Sequence, residues 1–296
     1  MSAVADAVEQ LLAFPDDHPY HKWTGTHWRL VEIADSDVPV ERERLDGAVL
    51  SELAWLLPGL DPEAVLRLSG RARRHGSIEG NAVYALCRLG FVDHPGTRQL
   101  VEALLDWQWP DGGWNCDRHR DAWRSSFHES AIPALALATY AGLTGDAAAR
   151  HAAERTAELL LEHRLFRSRT TGEPIHPSWT VLHGPAYWHY DVLQGLRVLA
   201  AVDRLDDPRA VEALDLVEQA RRPNGGFAGR SWTSRAQPGA VQWGRPPDNL
   251  LLNEIATSVL AAVGRPETKD QPIGTKAVSP NARSQVTMAA RTTPPR

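Results

Sequence analysis

The sequence is poor in cysteine, in basic charge and in long apolar runs, and each shortage excludes a class of protein. Cys87 and Cys116 are its only two cysteines, and their surroundings differ, so a disulfide framework is not indicated. The formal net charge of -5 shows none of the basic excess that tracks a phosphate backbone, which argues against a nucleic-acid partner. No apolar run is as long as a membrane span, and Asp6 and Glu9 stand where a secretory signal would carry Lys or Arg. We therefore expect a soluble, cytoplasmic protein with no transmembrane segment.

Tyrosine and phenylalanine are scarce as well, with 5 of each against 11 tryptophans. Trp buries a large area, and its N–H can bond a neighbouring carbonyl, so packing alone can explain such a bias. The alternative is a cavity that is lined with aromatic faces. At 43% hydrophobic residues, the chain can bury a sizeable core around such a cavity.

Strand-like alternation is almost absent, whereas helical periodicity recurs. Apolar residues follow a helical spacing over 83–90, 132–140 and 192–200. Short turns rich in Gly, Asp and Pro separate these segments from their neighbours. The sequence therefore predicts an all-α fold.

The helices belong to a repeat. The segments that start at Leu86 and Leu199 align without a gap, so that Asp111 falls on Asn224, 113 positions later. A third unit of helix, turn and helix lies between them, so this offset spans two repeats. About five helical hairpins account for residues 1–265, and each must stack on its neighbours to bury its apolar face.

The last part of the sequence differs from the rest. Residues 266–296 contain scattered Pro and no hydrophobic period, so they have little to bury. We expect one helical domain over residues 1–265, followed by a disordered C-terminal tail.

Two short motifs stand at equivalent positions of the repeat. Gln108–Trp114 reads QWPDGGW and resembles the QxxDGGW signature of squalene and oxidosqualene cyclases. Its counterpart Arg221–Phe227 reads RRPNGGF and resembles the GGF version in protein prenyltransferase β-subunits. Asp111 of such a Pro-Asp-Gly-Gly turn can bond the turn amides. The aromatic residue that closes each motif, Trp114 or Phe227, is expected to be buried under its turn.

The resemblance implies an α/α toroid of about five helical hairpins, whose parallel inner helices begin at one mouth of a central cavity. In this superfamily the motif is a structural clamp, so we assign it no catalytic role. The DxDD motif of squalene cyclases is absent, and so is the Asp-x-Cys pair with which protein prenyltransferases hold zinc. The sequence therefore predicts the fold of the superfamily without either of its active sites.

Polar residues stand where the inner helices are expected to begin. They are His27, beside Trp28, and the pairs Glu79 and Asn81, His128 and Glu129, His189 and Asp191, and Asn253 and Glu254. Helix capping explains any one of them. Their recurrence in every repeat favours a site at the mouth.

The catalytic residues that we predict are His189, Asp191, His128 and Glu129. A His and an Asp beside Trp188 and Tyr190 are costly to bury without a purpose. A carboxylic acid in an aromatic mouth has a raised pKa and can act as a general acid with a neighbouring His. If the helix dipole prevails instead, Asp191 is a fixed anion that orients His189 as a base.

Aromatic faces would stabilise a developing carbocation, and helix N-termini would suit a diphosphate. The residues that we expect to line the substrate site are Trp188, Tyr190, Trp179, Glu79, Asn81, Asn253, Glu254 and Trp28. The long connection 166–187 is expected either to cap this mouth, with Trp179, His176 and His183 facing inward, or to pack as an insertion.

Neither a metal nor another cofactor is expected. Cys116, Asp117 and His119 are suitable residue types, but an adjacent Cys and Asp do not fit one tetrahedral zinc. Three nearby arginines, Arg118, Arg120 and Arg124, would also repel a cation.

Three functions follow from this interpretation. The first is a terpenoid cyclase-like or prenyltransferase-like enzyme that acts on a small isoprenoid or polycyclic hydrophobic substrate by acid–base chemistry. The second is a carrier of a hydrophobic ligand, and the third is a helical scaffold that binds another protein. The sequence is compatible with a homodimer and does not decide the oligomeric state.

Overall fold

A computed structural model describes residues 2–230, 239–244 and 248–265 of the chain. Over these residues the chain is mostly helical, and the two strands present form one short antiparallel pair. The predicted all-α class is confirmed at this level. The predicted tail, 266–296, lies outside the described residues. Among the helices described, none combines the length and the apolar composition that crossing a bilayer requires.

The ten α-helices of the described residues are α1 (Ala3–Leu11), α2 (Thr26–Asp35), α3 (Asp46–Leu56), α4 (Gly76–Arg88), α5 (Pro95–Trp107), α6 (Phe127–Thr144), α7 (Ala147–Glu162), α8 (Val192–Ala201), α9 (Val211–Gln219) and α10 (Leu250–Ala262). The strands are β1 (Arg67–Leu68) and β2 (Arg71–Ala72). Short 3₁₀ helices cover Arg42–Arg44, Leu57–Leu60, Pro177–Thr180 and Pro208–Ala210.

The predicted helix starts are close to the observed ones. We predicted starts near Glu79, His128, His189 and Asn253, and α4, α6, α8 and α10 each begin within about one turn of these positions. The shift at α8 has a local cause. Asp191 is the N-cap of this helix, and its carboxylate accepts hydrogen bonds from two amides of the first turn.

The even-numbered helices pack in series, α2 on α4, α4 on α6, α6 on α8 and α8 on α10. Each of α3, α5, α7 and α9 packs on the even-numbered helix before it. Helices α4 and α6 approach closely, because a Cβ at Gly80 would lie 2.7 Å from the Pro133 nitrogen. Only glycine fits at this crossing. Four helix pairs therefore stand side by side, with α1 and α10 at the two ends.

The two aligned motifs form the same turn. The Trp109 amide donates to the Gly113 carbonyl over 2.7 Å, and the Arg222 amide donates to the Gly226 carbonyl over 2.7 Å. Gly112 has a φ of +98° and would bring a Cβ within 2.8 Å of the Arg155 carbonyl oxygen in α7. Glycine is needed at this position for its conformation and for the space.

Both turns are tied to the helix that follows them. The Trp114 amide donates to Ser130 Oγ over 2.9 Å, and the Phe227 amide donates to Asn253 Oδ1 over 2.9 Å. Ser130 and Asn253 are the fourth residues of α6 and α10. Trp114 and Phe227 are each only 1% exposed, so the prediction that they are buried under equivalent turns is confirmed.

Asp111 differs from the expectation in its partners. Its carboxylate accepts hydrogen bonds from the amide and the hydroxyl of Ser125, at 2.7 and 2.6 Å. The side chain therefore ties the turn to the segment that leads into α6. Gln108 provides a second tie, since its amide donates to the Ala152 carbonyl of α7 over 2.8 Å.

A cavity of about 420 Å³ lies toward the C-terminal ends of the even-numbered helices. Residues of α2, α4, α6, α8 and α10 all line it. Arg197 of α8 donates there to Asp35 of α2, at 2.5 Å, and to the Tyr84 hydroxyl of α4, at 2.9 Å. This buried ion pair connects three of the five helices.

Candidate functional site

Two imidazoles and two indoles meet at the N-terminal ends of α6 and α8. The ring of His189 stacks on Trp188 with 3.8 Å between the ring centroids, and the His128 ring lies 6.2 Å from His189. Trp179, from the connection between α7 and α8, stands edge-on to His128 at 5.8 Å. We call these four residues the imidazole–indole cluster. The structure therefore brings four of the predicted site residues together.

The geometry of His128 fixes its tautomer. Its Nδ1 accepts a hydrogen bond from the Tyr190 amide over 2.8 Å, so the proton of the neutral ring is on Nε2. Burial lowers the pKa of His128. Its ring is therefore a neutral Nε2 donor that a backbone amide holds in place.

His189 is neutral as well. Burial, and then the neighbouring His128, lower the pKa of His189 to about 3. Its side chain is nevertheless half-buried rather than enclosed. With so low a pKa the ring is a weak base, which takes a proton only from a strongly acidic species such as a carbocation.

A second aromatic group backs this cluster. Trp23 stacks on Tyr187 with 3.9 Å between ring centroids, and it reaches His189 at 5.7 Å. Trp28, which we expected at the substrate site, is fully buried and packs behind Trp23 at 4.9 Å. Trp28 thus packs behind the stacked rings of Trp23 and Tyr187, which we call the aromatic wall.

Asp191 is bonded to His183 and not to His189 as the sequence suggested. One carboxylate oxygen caps α8, while the other accepts from the His183 amide at 2.8 Å and lies 3.3 Å from His183 Nδ1. Asp191 is 1% exposed. The side chain therefore anchors the long connection to the start of α8, which gives it a positional use.

Of the three side chains that we expected to face the mouth from the connection between α7 and α8, Trp179 belongs to the imidazole–indole cluster. Trp179 is buried and contacts Phe127, with 4.9 Å between ring centroids, as well as His128. His183 is buried against Asp191, whereas His176 is exposed and bonds Ser178 in its own turn.

Glu129 faces away from His128 and toward α4. One of its oxygens lies 3.0 Å from His75 Nδ1, and the other accepts from the Ser77 amide over 3.1 Å. Burial works to raise the pKa of Glu129, but the bonds from His75 and Ser77 outweigh it, so the pKa is lowered. Hydrogen bonds to Cys116 and then to Glu129 raise the pKa of His75 to about 10. The lowered pKa favours the anionic form of Glu129, which accepts protons and does not donate them.

Cys116 completes a second group, which we call the thiol–carboxylate cluster: His75, Cys116 and Glu129. One nitrogen, sulfur or oxygen atom from each lies within 4.8 Å of the other two. Burial, and then the Glu129 charge, raise the pKa of the Tyr20 phenol. Since His128 and Glu129 are consecutive residues of α6, the two clusters lie on different sides of the start of the same helix.

The pair on α4 has structural partners. Arg74 forms an ion pair with Glu79, whose carboxylate is 2% exposed. Asn81 donates to the Ser77 carbonyl over 2.9 Å and to the Tyr187 carbonyl over 3.1 Å. Asn81 therefore links α4 to the segment that carries Trp188 and His189.

The pair on α10 does not join the clusters. Asn253 holds the Phe227 amide, as Ser130 holds Trp114. Glu254 is exposed and lines the cavity at the opposite ends of the helices. His27, another predicted mouth residue, is buried, and its Nδ1 is hydrogen-bonded to the Glu52 carboxyl group over 2.6 Å.

Glu32 is a titratable residue that the sequence did not single out. Burial raises the pKa of Glu32 to about 8, against the bonds from Trp243 and Tyr187. The Trp243 indole donates to its carboxyl over 2.6 Å. Nothing in the local pattern of α2 distinguishes this residue, because its partners come from distant segments.

His75 was also missed, although it has a signal in the sequence. His75 directly precedes α4. The polar residues that we did identify lie in similar places, at or next to the starts of α6 and α8. The sequence placed Cys116 with Asp117 and His119, but the His119 amide bonds Asp117 in an exposed turn, at 2.8 Å. The thiol meets a different imidazole, from 41 residues earlier in the chain.

Comparison with known proteins adds no relative to this description. No family model, no curated protein and no solved structure matches the chain significantly. The resemblance to squalene cyclases and prenyltransferases therefore rests on the two short motifs and on the turns that they form.

Proposed function

We propose that the protein is an enzyme that binds a small hydrophobic, isoprenoid-like substrate at the mouth and acts on it by proton transfer. The observation that carries this proposal is the stacking of the partly exposed His189 on Trp188, with His128 beside both. An imidazole in such a place can take or return a proton while indole faces hold an apolar substrate or a cationic intermediate.

The roles of the two imidazoles differ. His128 Nδ1 is occupied by the Tyr190 amide, so Nε2 is the atom that can donate to a substrate or exchange a proton. His189 is the proton acceptor for a cationic intermediate, which is acidic enough to protonate an imidazole whose pKa is about 3. Glu129 and Asp191 position His75 and His183 through hydrogen bonds. This assignment replaces a carboxylic acid by an imidazole as the group that moves the proton.

We also propose that the helix pairs close into an α/α toroid with the even-numbered helices inside. The series of contacts from α2 to α10 supports it, as does the cavity that all five even-numbered helices line. The ion pair from Arg197 to Asp35 connects α8 to α2 across that cavity. The N-terminal ends of the even-numbered helices would then surround the mouth of the toroid.

A carrier of a hydrophobic ligand is the second candidate. The stacked Trp23 and Tyr187 favour it, because a flat aromatic wall binds an apolar ligand without any proton transfer. The two candidates differ in the expected outcome at His189. An enzyme needs the ring nitrogens of His189 to transfer a proton, whereas a carrier needs only the flat surface of the His189 ring for ligand contact.

The test is incubation of the purified protein with a panel of prenyl diphosphates and squalene, followed by product analysis by mass spectrometry. We expect turnover of at least one compound, and a loss of about 100-fold or more in the His189→Gln variant. His151→Gln is the matched control, since this exposed His belongs to α7 and lies outside the cluster. Binding without turnover would establish the carrier, and full turnover by His189→Gln would refute the proton-transfer role.

A further inference from the structure

The thiol–carboxylate cluster brings three metal-ligand types to one point from three separate segments. His75 precedes α4, Cys116 follows the first clamp turn, and Glu129 belongs to the first turn of α6. One ligand atom from each lies within 4.8 Å of the other two. We propose that these three side chains bind a divalent metal ion of the zinc type, at the same mouth as the imidazole–indole cluster.

The spacing fits such an ion. Zinc takes imidazole nitrogen, thiolate sulfur and carboxylate oxygen at about 2.0–2.3 Å, so tetrahedral ligand atoms stand about 3.5 Å apart. His75 Nδ1 and the Glu129 oxygen are already 3.0 Å apart. Only a small opening of the cluster is needed for the ion to enter.

The arrangement differs from that of a nucleophilic thiol. In a thiol–imidazole–carboxylate relay, the imidazole stands between the other two groups and turns one nitrogen toward each. Here the sulfur of Cys116, the carboxylate of Glu129 and one nitrogen of His75 are mutually close. Mutual proximity is what a shared ion requires, whereas a relay separates the sulfur from the carboxylate.

The surroundings of the cluster match those of a metal centre. The Glu129 side chain is only 8% exposed, and its second oxygen accepts from the Ser77 amide, a bond that orients a ligating carboxylate. The His75 side chain is 63% exposed, so an ion has a route of entry. Arg118, Arg120 and Arg124, which led us to expect no metal, are exposed, and solvent screens their charge.

Three protein ligands leave the fourth position of a tetrahedral ion open. Structural zinc sites fill all four positions with protein, whereas catalytic sites keep one for water or substrate. The ion would therefore carry a water molecule at the mouth.

The experiment is a Co²⁺ titration of the full-length protein after removal of metals with a chelator. We expect one Co²⁺ per chain, with a thiolate-to-cobalt absorption band in the near ultraviolet that Zn²⁺ abolishes by displacement. Cys116→Ser should lose the band, and His75→Gln and Glu129→Gln should each weaken binding by about 100-fold or more. The matched control is Cys87→Ser, since this buried thiol belongs to α4 and lies outside the cluster.

A second measurement uses the wild-type chain alone, so it does not depend on how the variants fold. Iodoacetamide should alkylate Cys116 in the metal-free protein, and stoichiometric Zn²⁺ should slow this reaction about 10-fold or more, because a ligating thiolate is shielded. A missing cobalt band, a band that survives in Cys116→Ser, or alkylation at an equal rate with Zn²⁺ would each overturn the proposal. The cluster would then be an ion pair beside a free thiol. Neither measurement uses turnover, so the outcome is independent of the proposed enzyme activity.

Discussion

The clamp turn and the mouth are only 13 positions apart from Trp114 to Phe127, yet they use polar side chains in different ways. In the clamp, Gln108 bonds backbone carbonyls of the turn and of α7, and Ser130 bonds the amide of Trp114. In the mouth, Glu129 bonds His75, and His128 stands against the rings of Trp188 and His189.

The difference distinguishes side chains that stabilise the fold from side chains that remain available for binding or proton transfer. A side chain that satisfies a backbone group fixes the path of the chain and has little capacity left for a ligand. A side chain that meets another titratable side chain, in a place that solvent reaches, can still bind or exchange a proton. Substitutions in the clamp should therefore change stability, and substitutions in the mouth should change function.

The largest loss of stability is expected in the clamp. Trp114→Ala removes a ring that is 1% exposed and whose indole donates to the Leu104 carbonyl over 2.9 Å. We expect the free energy of unfolding to fall by about 3–5 kcal/mol, measured by urea denaturation. Trp123→Ala is the control, because the Trp123 ring is 59% exposed and should change stability by less than about 0.5 kcal/mol. Equal stability of the two variants would contradict the clamp.

Asp191 tests this comparison between the clamp and the mouth. The sequence predicted it as a mouth residue, but its carboxylate bonds backbone amides, as the polar side chains of the clamp do. Asp191→Ala removes the N-cap of α8 and the bond to the His183 amide, which should cost about 2 kcal/mol in unfolding experiments. Asp191→Asn keeps a capping oxygen and should cost less than about 1 kcal/mol. If Asp191→Ala were as stable as the wild type and had lost turnover, its carboxylate would belong to the chemistry.

The smallest loss of stability is expected at His189. His189→Gln should change the free energy of unfolding at pH 7 by less than about 0.5 kcal/mol, while turnover is lost. Differential scanning fluorimetry beside the product assay measures both effects. A variant that unfolds, with residual turnover in proportion to its folded fraction, would place His189 with the clamp.

The pH dependence of stability gives a further test at His189. Below about pH 6.5, an unfolded imidazole binds a proton, whereas folded His189 stays neutral until its pKa of about 3. The unfolded chain thus binds more protons between these values, so stability falls as the pH is lowered through this window. Urea denaturation at pH 4.5, 5.5 and 7 should show a shallower decline in His189→Gln than in the wild type. Parallel declines would mean that His189 titrates normally.

Much of the local structure could be predicted from the sequence. The repeat alignment placed α4, α6, α8 and α10 within about one turn of their observed starts, and the offset of the two motifs predicted a shared turn. Trp114 and Phe227 are buried as expected. These features depend on contacts between residues that are near in sequence, or on a turn that its glycines identify in the sequence.

The partners of the mouth residues could not be predicted in the same way. The sequence paired His128 with Glu129 and His189 with Asp191, because they are neighbours. Consecutive residues on an α-helix point about 100° apart, so Glu129 turns to His75 while His128 turns to His189. The position of Cys116 could not be predicted either. The segment that leads from the turn to α6 brings this residue close to His75, which precedes α4.

The sequence by itself determined where helices begin, where the chain turns and which aromatic residues must be buried, because periodicity, caps and glycine conformation act over a few residues. Only the tertiary structure decided which imidazole meets which carboxylate. For His75 and Glu129, which are 54 residues apart in the chain, that choice depends on how α4 and α6 pack. The two clusters at the mouth are products of the packing, and no spacing in the sequence encodes them.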